Sequence, residues 1–76
     1  MVMQGDYRKF LEGLMDQHRN CEIVYRSEAG GKVIIRDRIT GLYEEGGGEW
    51  LRTAGGMAIR LEKLVHVDGR IPSNFT

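Results

Sequence analysis

The sequence predicts a mainly β fold of the α+β class, in which an N-terminal amphipathic helix precedes a five-stranded antiparallel barrel with one long, bent strand. The helical spacing of apolar residues stops at Asn20, and an alternation of apolar and polar residues follows it. Residues 32–43 form an alternating stretch too long to stay flat, and two short strands meet at a tight corner at Glu62-Lys63. Small closed barrels have such bends and corners. A helix packed on an open, strongly twisted sheet is the alternative architecture.

The length and the cysteine content limit the class of protein. Seventy-six residues predict a single domain spanning 1–76. The single cysteine, Cys21, excludes an internal disulfide, so the domain depends on packing or on a partner. The polar start at residues 1–4 has no signal-peptide pattern, and no apolar run approaches the roughly 20 residues of a membrane span. We therefore expect a cytoplasmic protein that does not enter a membrane.

The helix is predicted for about residues 6–19. Asp6 is placed to cap its first free N–H groups, and Asn20 is a plausible stop. Gly13 costs up to about 1 kcal/mol relative to alanine inside a helix, and we expect it where the helix passes close to the sheet. Apolar and aromatic side chains recur at helical spacing on one face, together with one histidine: Tyr7, Phe10, Leu11, Leu14, Met15 and His18.

The β region is predicted for about residues 21–68. In the second strand the alternation of inward and outward side chains changes phase between Ile35 and Ile39, close to Gly41. This change predicts a bulge or bend that lets one strand serve two sheets. Residues 44–48, Glu-Glu-Gly-Gly-Gly, are expected to form a loop. Strands are predicted at 21–26, 32–43, 49–53, 57–61 and 65–67, and a helix followed by such a meander is the order of the Sm-like variety of SH3-type barrels.

No catalytic constellation stands out, and we expect a protein that is not an enzyme and uses no cofactor. His18, Cys21 and His66 lack the close spacing of zinc ligands. The glycines at 46–48 lead into a strand, whereas phosphate-cradling loops lead into a helix N-terminus. Cys21 begins a strand in an apolar phase and is expected as a buried small hydrophobe. The tail, residues 70–76, carries little pattern and is expected to fray.

Eleven basic and eleven acidic residues give zero net charge, so we expect RNA binding to be weak or absent. Trp50 is expected in the core because of its size, with an exposed interface anchor as the alternative. Arginine outnumbers lysine by eight to three, and arginine makes planar contacts that lysine cannot. Five strand arginines are expected to face solvent and to pair with glutamate neighbours, with an interaction surface as the alternative: Arg26, Arg36, Arg38, Arg52 and Arg60.

Several segments carry a family resemblance. The resemblance lies in four segments: Leu11-Glu12, the strand 21–25, the segment 49–51 and the stretch 59–69. Together they resemble the Rof family of Rho-binding antiterminators, over about residues 6–69. The most telling piece is the corner 60–64, Arg-Leu-Glu-Lys-Leu, which is similar to the acidic-basic corner of that family. The resemblance implies a cytoplasmic bacterial protein with an Sm-like fold, which binds transcription termination factor Rho at its RNA-binding face and suppresses termination.

A second resemblance competes with the first. The segments 23–26, 41–43, 48–51 and 59–64 are similar to the WYL domain, a small barrel that senses ligands or nucleic acid in bacterial regulators. The sequence has Trp-Leu-Arg at 50–52 where that family carries Trp-Tyr-Leu. The alternative function is therefore a WYL-type or Sm-like barrel that binds a small ligand or RNA.

The Rof resemblance directs attention to carboxylates on predicted exposed positions. One set lies along the polar side of the helix, and the other is at the rim of the glycine loop. Either set suits a cationic surface built to hold RNA, since opposite charges speed encounter and set orientation. The candidate partner-binding residues are Asp6, Glu12, Asp16, Glu44 and Glu45.

Overall fold

The structure is a computed structural model that describes residues 5–71. Its strands are antiparallel and follow the order β4-β3-β2-β1-β5 across one sheet. The predicted helix followed by a five-stranded antiparallel sheet is confirmed, but the sheet is not closed: within the described residues β4 and β5 remain its two edges. The elements are α1 (Gly5–Asp16), β1 (Asn20–Arg26), β2 (Lys32–Glu45), β3 (Gly48–Thr53), β4 (Ala58–Arg60), a 3-10 turn (Leu61–Lys63) and β5 (Leu64–Val67).

Strand β2 is shared by two halves of the sheet, as its length predicts. Residues 32–38 pair with β1, and residues 39–45 pair with β3. The register shifts between Ile39 and Gly41, which leaves Thr40 as the extra residue of a β-bulge. The predicted bulge near Gly41 is therefore confirmed. The phase slip expected between Ile35 and Ile39 was wrong, because pairing with β1 is regular over 32–38 and the shift comes after Ile39.

The core lies between α1 and the inner face of the sheet. Tyr7 and Leu11 of α1 are fully buried against strand residues such as Ile39 and Leu51. Cys21 is buried as expected, and burial raises the pKa of its thiol. Leu61 is the first residue of the 3-10 turn and Leu64 follows its last, and both leucines reach the same core, so the tight corner brings two leucines inward.

The sheet curls strongly, although between residues 5 and 71 its edge strands β4 and β5 do not pair with each other. The hydroxyl of Tyr25, on β1, donates to Sδ of Met57 at 3.3 Å, and Met57 directly precedes β4. Strands β1 and β4 are separated by β2 and β3 in the sheet. This contact therefore spans the open side of the curled sheet.

The helix is shorter than predicted and ends at Asp16. The N–H of Gln17 donates to the carbonyl of Gly13, and that of His18 donates to the carbonyl of Met15. His18 then adopts a left-handed conformation, φ 53°, and lies exposed beyond the helix, so its placement on the apolar helix face was wrong. Spacing alone cannot detect this stop, because His18 continues the helical period.

Two further local expectations were wrong. Asp6 lies inside the first turn of α1 rather than capping it, where its charge favours the positive end of the helix dipole. The loop expected at 44–48 shrinks to the two-residue turn Gly46-Gly47, with φ values of 61° and 81°. Such turns match the twist of the flanking strands, so Glu44 and Glu45 stay in β2.

A tight turn follows β5 and fastens the helix. Val67 and Arg70 exchange backbone hydrogen bonds across Asp68-Gly69, and the buried hydroxyl of Tyr7 donates to the carbonyl of Arg70 at 2.9 Å. Arg70, the first residue of the tail expected to fray, is therefore tied to the fold. Residues 72–76 of that tail, and the polar start at 1–4, lie outside the described residues.

Replacing Gly13 by alanine should raise the free energy of unfolding by up to about 1 kcal/mol. No other described part of the fold lies within 4 Å of the position that its Cβ would take, so the expected close approach to the sheet is absent and alanine fits. Gly47→Ala is the matched control, because φ 81° disfavours a side chain and the variant should lose stability. Chemical denaturation compares both, and a destabilised Gly13→Ala variant would contradict the helix geometry.

Removing the Tyr7 hydroxyl should alter the response to alkali. Burial raises the pKa of Tyr7 to about 12 from an ordinary value of 10.0, because the ionised form loses its water. The resulting stabilisation is complete below about pH 10 and is lost as the pH rises to about 12. Tyr7→Phe should cost about 1 kcal/mol at neutral pH through the lost hydrogen bond. Between about pH 10 and pH 12 the free energy of unfolding of the variant should fall less than that of the wild-type protein. An equal fall in the two proteins, measured by chemical denaturation at each pH, would contradict this prediction.

Candidate functional site

The five carboxylates predicted to bind a partner are distributed over α1 and the end of β2. Asp6 and Asp16 are exposed near the two ends of the helix, and Glu12 is half-buried between them. Glu44 and Glu45 are exposed at the end of β2, next to the Gly46-Gly47 turn. Their exposure fits a binding role, and their relative placement depends on how α1 sits on the hairpin formed by β2 and β3.

Arg8 fixes that placement. Its Nη1 donates to Oε1 of Glu49, on β3, at 2.6 Å, and its Nε lies 3.7 Å from Oε2 of Glu12. The Glu49 side chain is only 10% exposed, so water and salt screen this ion pair less than they screen an ordinary surface pair. Sequence reasoning missed both Arg8 and Glu49. The four-residue spacing of Arg8 and Glu12 was a readable signal, whereas the contact with Glu49 exists only in the folded chain.

The structure brings two carboxylates, those of Glu12 and Glu49, to this arginine, and a third lies on the same side of the hairpin. Glu44 is paired in register with Glu49, and directly opposite residues point to the same side of a sheet. Glu12 approaches from the helix through Arg8. We call Arg8, Glu12, Glu44 and Glu49 the acidic end. It unites one predicted residue from each set.

The other three predicted residues differ in their relation to the acidic end. Asp16 lies one helical turn beyond Glu12 and extends the acidic end along α1. Asp6 is turned by about 120° around the helix from Glu12. Glu45 neighbours Glu44 on an extended strand and so points to the opposite side of the sheet. The predicted site is thus partly assembled, with Asp6 and Glu45 outside it.

A second surface lies on the outer side of β2, β3 and β4. Tyr43, Trp50 and Arg60 are register partners across the three strands. The Arg60 guanidinium lies 5.3 Å from the Trp50 ring centroid, and that of Arg52 lies 5.3 Å from the Tyr43 ring centroid. These distances are typical of cation–π contacts. We call Tyr43, Trp50, Arg52 and Arg60 the arginine–aromatic face.

Trp50 therefore does not lie in the core, contrary to the leading expectation. It is half-buried, and its indole N–H donates to the carbonyl of Glu45 at 3.1 Å. The neighbouring Leu51 takes the fully buried position instead. The alternation of β3 contained this information, because the two neighbours must point to opposite faces, but the size of tryptophan argued against it.

The strand arginines are solvent-facing as expected, but the expected glutamate pairing is mostly absent. Arg60 pairs with Glu62, with Nε 3.3 Å from Oε1. Between residues 5 and 71, no carboxylate lies within 4 Å of the guanidinium of Arg36, Arg38 or Arg52. Arg26 donates to the carbonyl of Gly30 at 3.3 Å. The outer side of the sheet thus carries several cations without acidic partners in this part of the chain.

The described residues with clearly shifted pKa values have structural roles. Asp37 accepts hydrogen bonds from the N–H groups of Arg38 and Gly55, which lower the pKa of its carboxyl and hold the turn after β3. The Cys21 thiol donates to the carbonyl of Arg19 at 3.4 Å. Within residues 5–71 no group of three or more His, Cys, Asp or Glu side chains is arranged to hold a metal ion.

Comparison with protein-family models, with curated proteins and with solved structures finds no match to this chain. Within the part of the chain that the structure describes, no helix has the length and apolar character needed to cross a membrane. The acidic end and the arginine–aromatic face are the two surfaces of the described residues that suit a partner.

Removing the Arg8 charge should loosen the helix from the hairpin. Arg8→Met keeps an unbranched side chain but removes the guanidinium that donates to the poorly solvated Glu49 carboxylate. A charge-assisted hydrogen bond of this kind contributes about 1.5–3 kcal/mol, and the partial exposure of Arg8 favours the lower end. Lys9→Met is the matched control, because Lys9 is exposed on the next position of the helix. Equal denaturation midpoints for the two variants would contradict this role of Arg8.

Proposed function

We propose that this protein is a small, non-enzymatic regulatory protein of the Rof type, which binds transcription termination factor Rho through its acidic end and inhibits termination. The observation that carries the proposal is the ion pair of Arg8 with Glu49. It brings carboxylates of the helix and of the β2–β3 hairpin onto one surface. The proposal places the protein in the bacterial cytoplasm and requires no cofactor.

The architecture supports the Sm-like fold that the Rof resemblance implies. Strand β2 is long and bent, it is shared by both halves of the sheet, and a helix precedes β1. The corner at Leu61–Lys63 brings buried leucines into the core, and Tyr25 reaches Met57 across the open side. These features favour a barrel-like curl of the kind found in the Sm-like variety of SH3-type barrels.

The charge of the acidic end suits the proposed partner. A surface that holds RNA must attract a chain of phosphates, and it therefore presents cations to solvent. An array of carboxylates with a fixed spacing meets such a surface with complementary charge. Complementary charge accelerates encounter and sets orientation, which is what a competitor of RNA needs. Arg8 adds rigidity to the array, because it ties Glu49 to the helix.

The test uses purified protein and a cognate Rho. Fluorescence anisotropy of labelled RNA on Rho should fall as the protein is added, and termination should decrease in a reconstituted transcription assay. Asp16→Lys combined with Glu44→Lys should weaken binding by about tenfold or more, mainly through slower association. Neither residue contacts Arg8 in the described ion pairs, so the fold should survive, since exposed charges contribute little stability.

Glu28→Lys provides the matched control for charge reversal. Glu28 is exposed in the turn between β1 and β2 and belongs to neither of the carboxylate sets. Its reversal should leave Rho binding close to wild type. Absence of binding by the wild-type protein would overturn the Rho assignment. Equal losses in the control and the double variant, or no loss in the double variant, would overturn the acidic end as the contact surface.

A further inference from the structure

The outer side of the sheet is basic, although the chain has zero net charge. Lys32, Arg36, Arg38 and Arg52 are exposed, and none has a carboxylate within 4 Å between residues 5 and 71. Glu22 is the register partner of Arg36, yet the two side chains form no ion pair at that distance. Unpaired arginines keep their hydrogen-bond donors available to an anion in solution.

The bulge in β2 makes this surface continuous. Ile39 and Leu42 both face the core, although their separation by three residues would place them on opposite sides of a regular strand. The extra residue, Thr40, restores the phase. Arg36 and Arg38 before the bulge therefore share the outer side with Tyr43 after it. Without the bulge, the cations of one half and the aromatic rings of the other would lie on opposite sides.

The arginine–aromatic face adds flat groups to this charge. Register places Tyr43, Trp50 and Arg60 in one row across three strands, with about 5 Å between neighbouring strands. The Arg52 guanidinium lies over the Tyr43 ring, and no carboxylate within residues 5–71 takes up its donors. A guanidinium held over a ring offers its plane for stacking and its edge for hydrogen bonds to an anion.

We propose that the outer side of the sheet, formed by Arg36, Arg38 and the arginine–aromatic face, binds single-stranded nucleic acid. Phosphates contact the unpaired arginines, and bases stack on the row of rings and guanidinium planes. Single-stranded nucleic acid carries flat bases and closely spaced phosphates. It can therefore stack on the ring and guanidinium planes and also accept hydrogen bonds from the guanidinium edges. An acidic peptide supplies carboxylates for the edges only.

This inference does not rest on the proposed binding of Rho. The arginine–aromatic face points away from the core, since Trp50 and Arg52 flank the inward-facing Leu51. Helix α1 packs on the inner side, and the acidic end lies with it. The two surfaces can therefore be altered separately. The few arginines available limit the affinity to the micromolar range, which agrees with the weak RNA binding expected from zero net charge.

The experiment titrates the whole chain into labelled oligouridylate and labelled oligothymidylate of about twelve nucleotides at about 0.1 M salt. Anisotropy should report micromolar binding that weakens as salt increases. Trp50 is the only tryptophan, so its emission should change as bases stack beside it. The RNA and DNA arms identify which sugar the surface accepts, and binding of either supports the proposal.

Arg36→Gln combined with Arg52→Gln should weaken binding by about tenfold or more. It should also reduce the slope of log affinity against log salt by about one to one and a half, because two phosphate contacts are lost. Arg19→Gln is the matched control: Arg19 is exposed, has no ion pair within the described residues, and precedes β1. Its replacement should change neither quantity. Circular dichroism checks that both variants are folded.

Four results would overturn the proposal. The first is no anisotropy change for either oligonucleotide up to about millimolar protein, well above the expected range. The second is an equal loss of affinity in Arg19→Gln and in the double variant. The third is saturation without a change in Trp50 emission, which would mean that no base stacks there. The fourth is equally tight, Arg52-dependent binding of an oligoglutamate peptide, which would assign the surface to an acidic protein partner.

Discussion

Strand β2 runs through both halves of the sheet, and the bulge between Ile39 and Gly41 allows it to keep its apolar residues on the core side throughout. The rest of the architecture depends on this change of phase. It separates the half of the strand that pairs with β1 from the half that pairs with β3, so β3 and β4 lie in one half of the sheet and β1 and β5 in the other. A small domain without a disulfide must gain its stability from such an efficient core. The same bulge aligns the outward-facing side chains of the two halves.

The second constraint is an ion pair on the inner side of the sheet, where α1 packs. Arg8 holds the helix against the β2–β3 hairpin by a short contact with Glu49. The pairing collects carboxylates at one end, while the outer side keeps arginines that have no carboxylate partner within residues 5–71. Zero net charge thus hides a separation of charge that composition cannot reveal. A chain of this kind offers two surfaces of opposite character, and the two proposals assign one to each.

Local sequence patterns were sufficient to predict the helix and the strands wherever one periodicity of apolar residues continued along the chain. Alternation located all five strands, and Gly41 marked the region of the bulge, because each signal depends on residues close in sequence. The errors share a cause. His18 kept the helical period but took a left-handed conformation, and the glycine run closed as a tight turn rather than a loop. In both cases the backbone angles, which spacing does not encode, decided the outcome.

The sequence by itself determined the element order, the apolar faces and the position of the bend. These follow from periodicity and from glycine placement. Only the tertiary structure decided that Glu12 and Glu49 meet at Arg8, that Asp6 and Glu45 lie outside the acidic end, and that the sheet of residues 5–71 remains open. The physical reason is that these relations join residues far apart in the chain. Their proximity results from how the helix packs on the curled sheet.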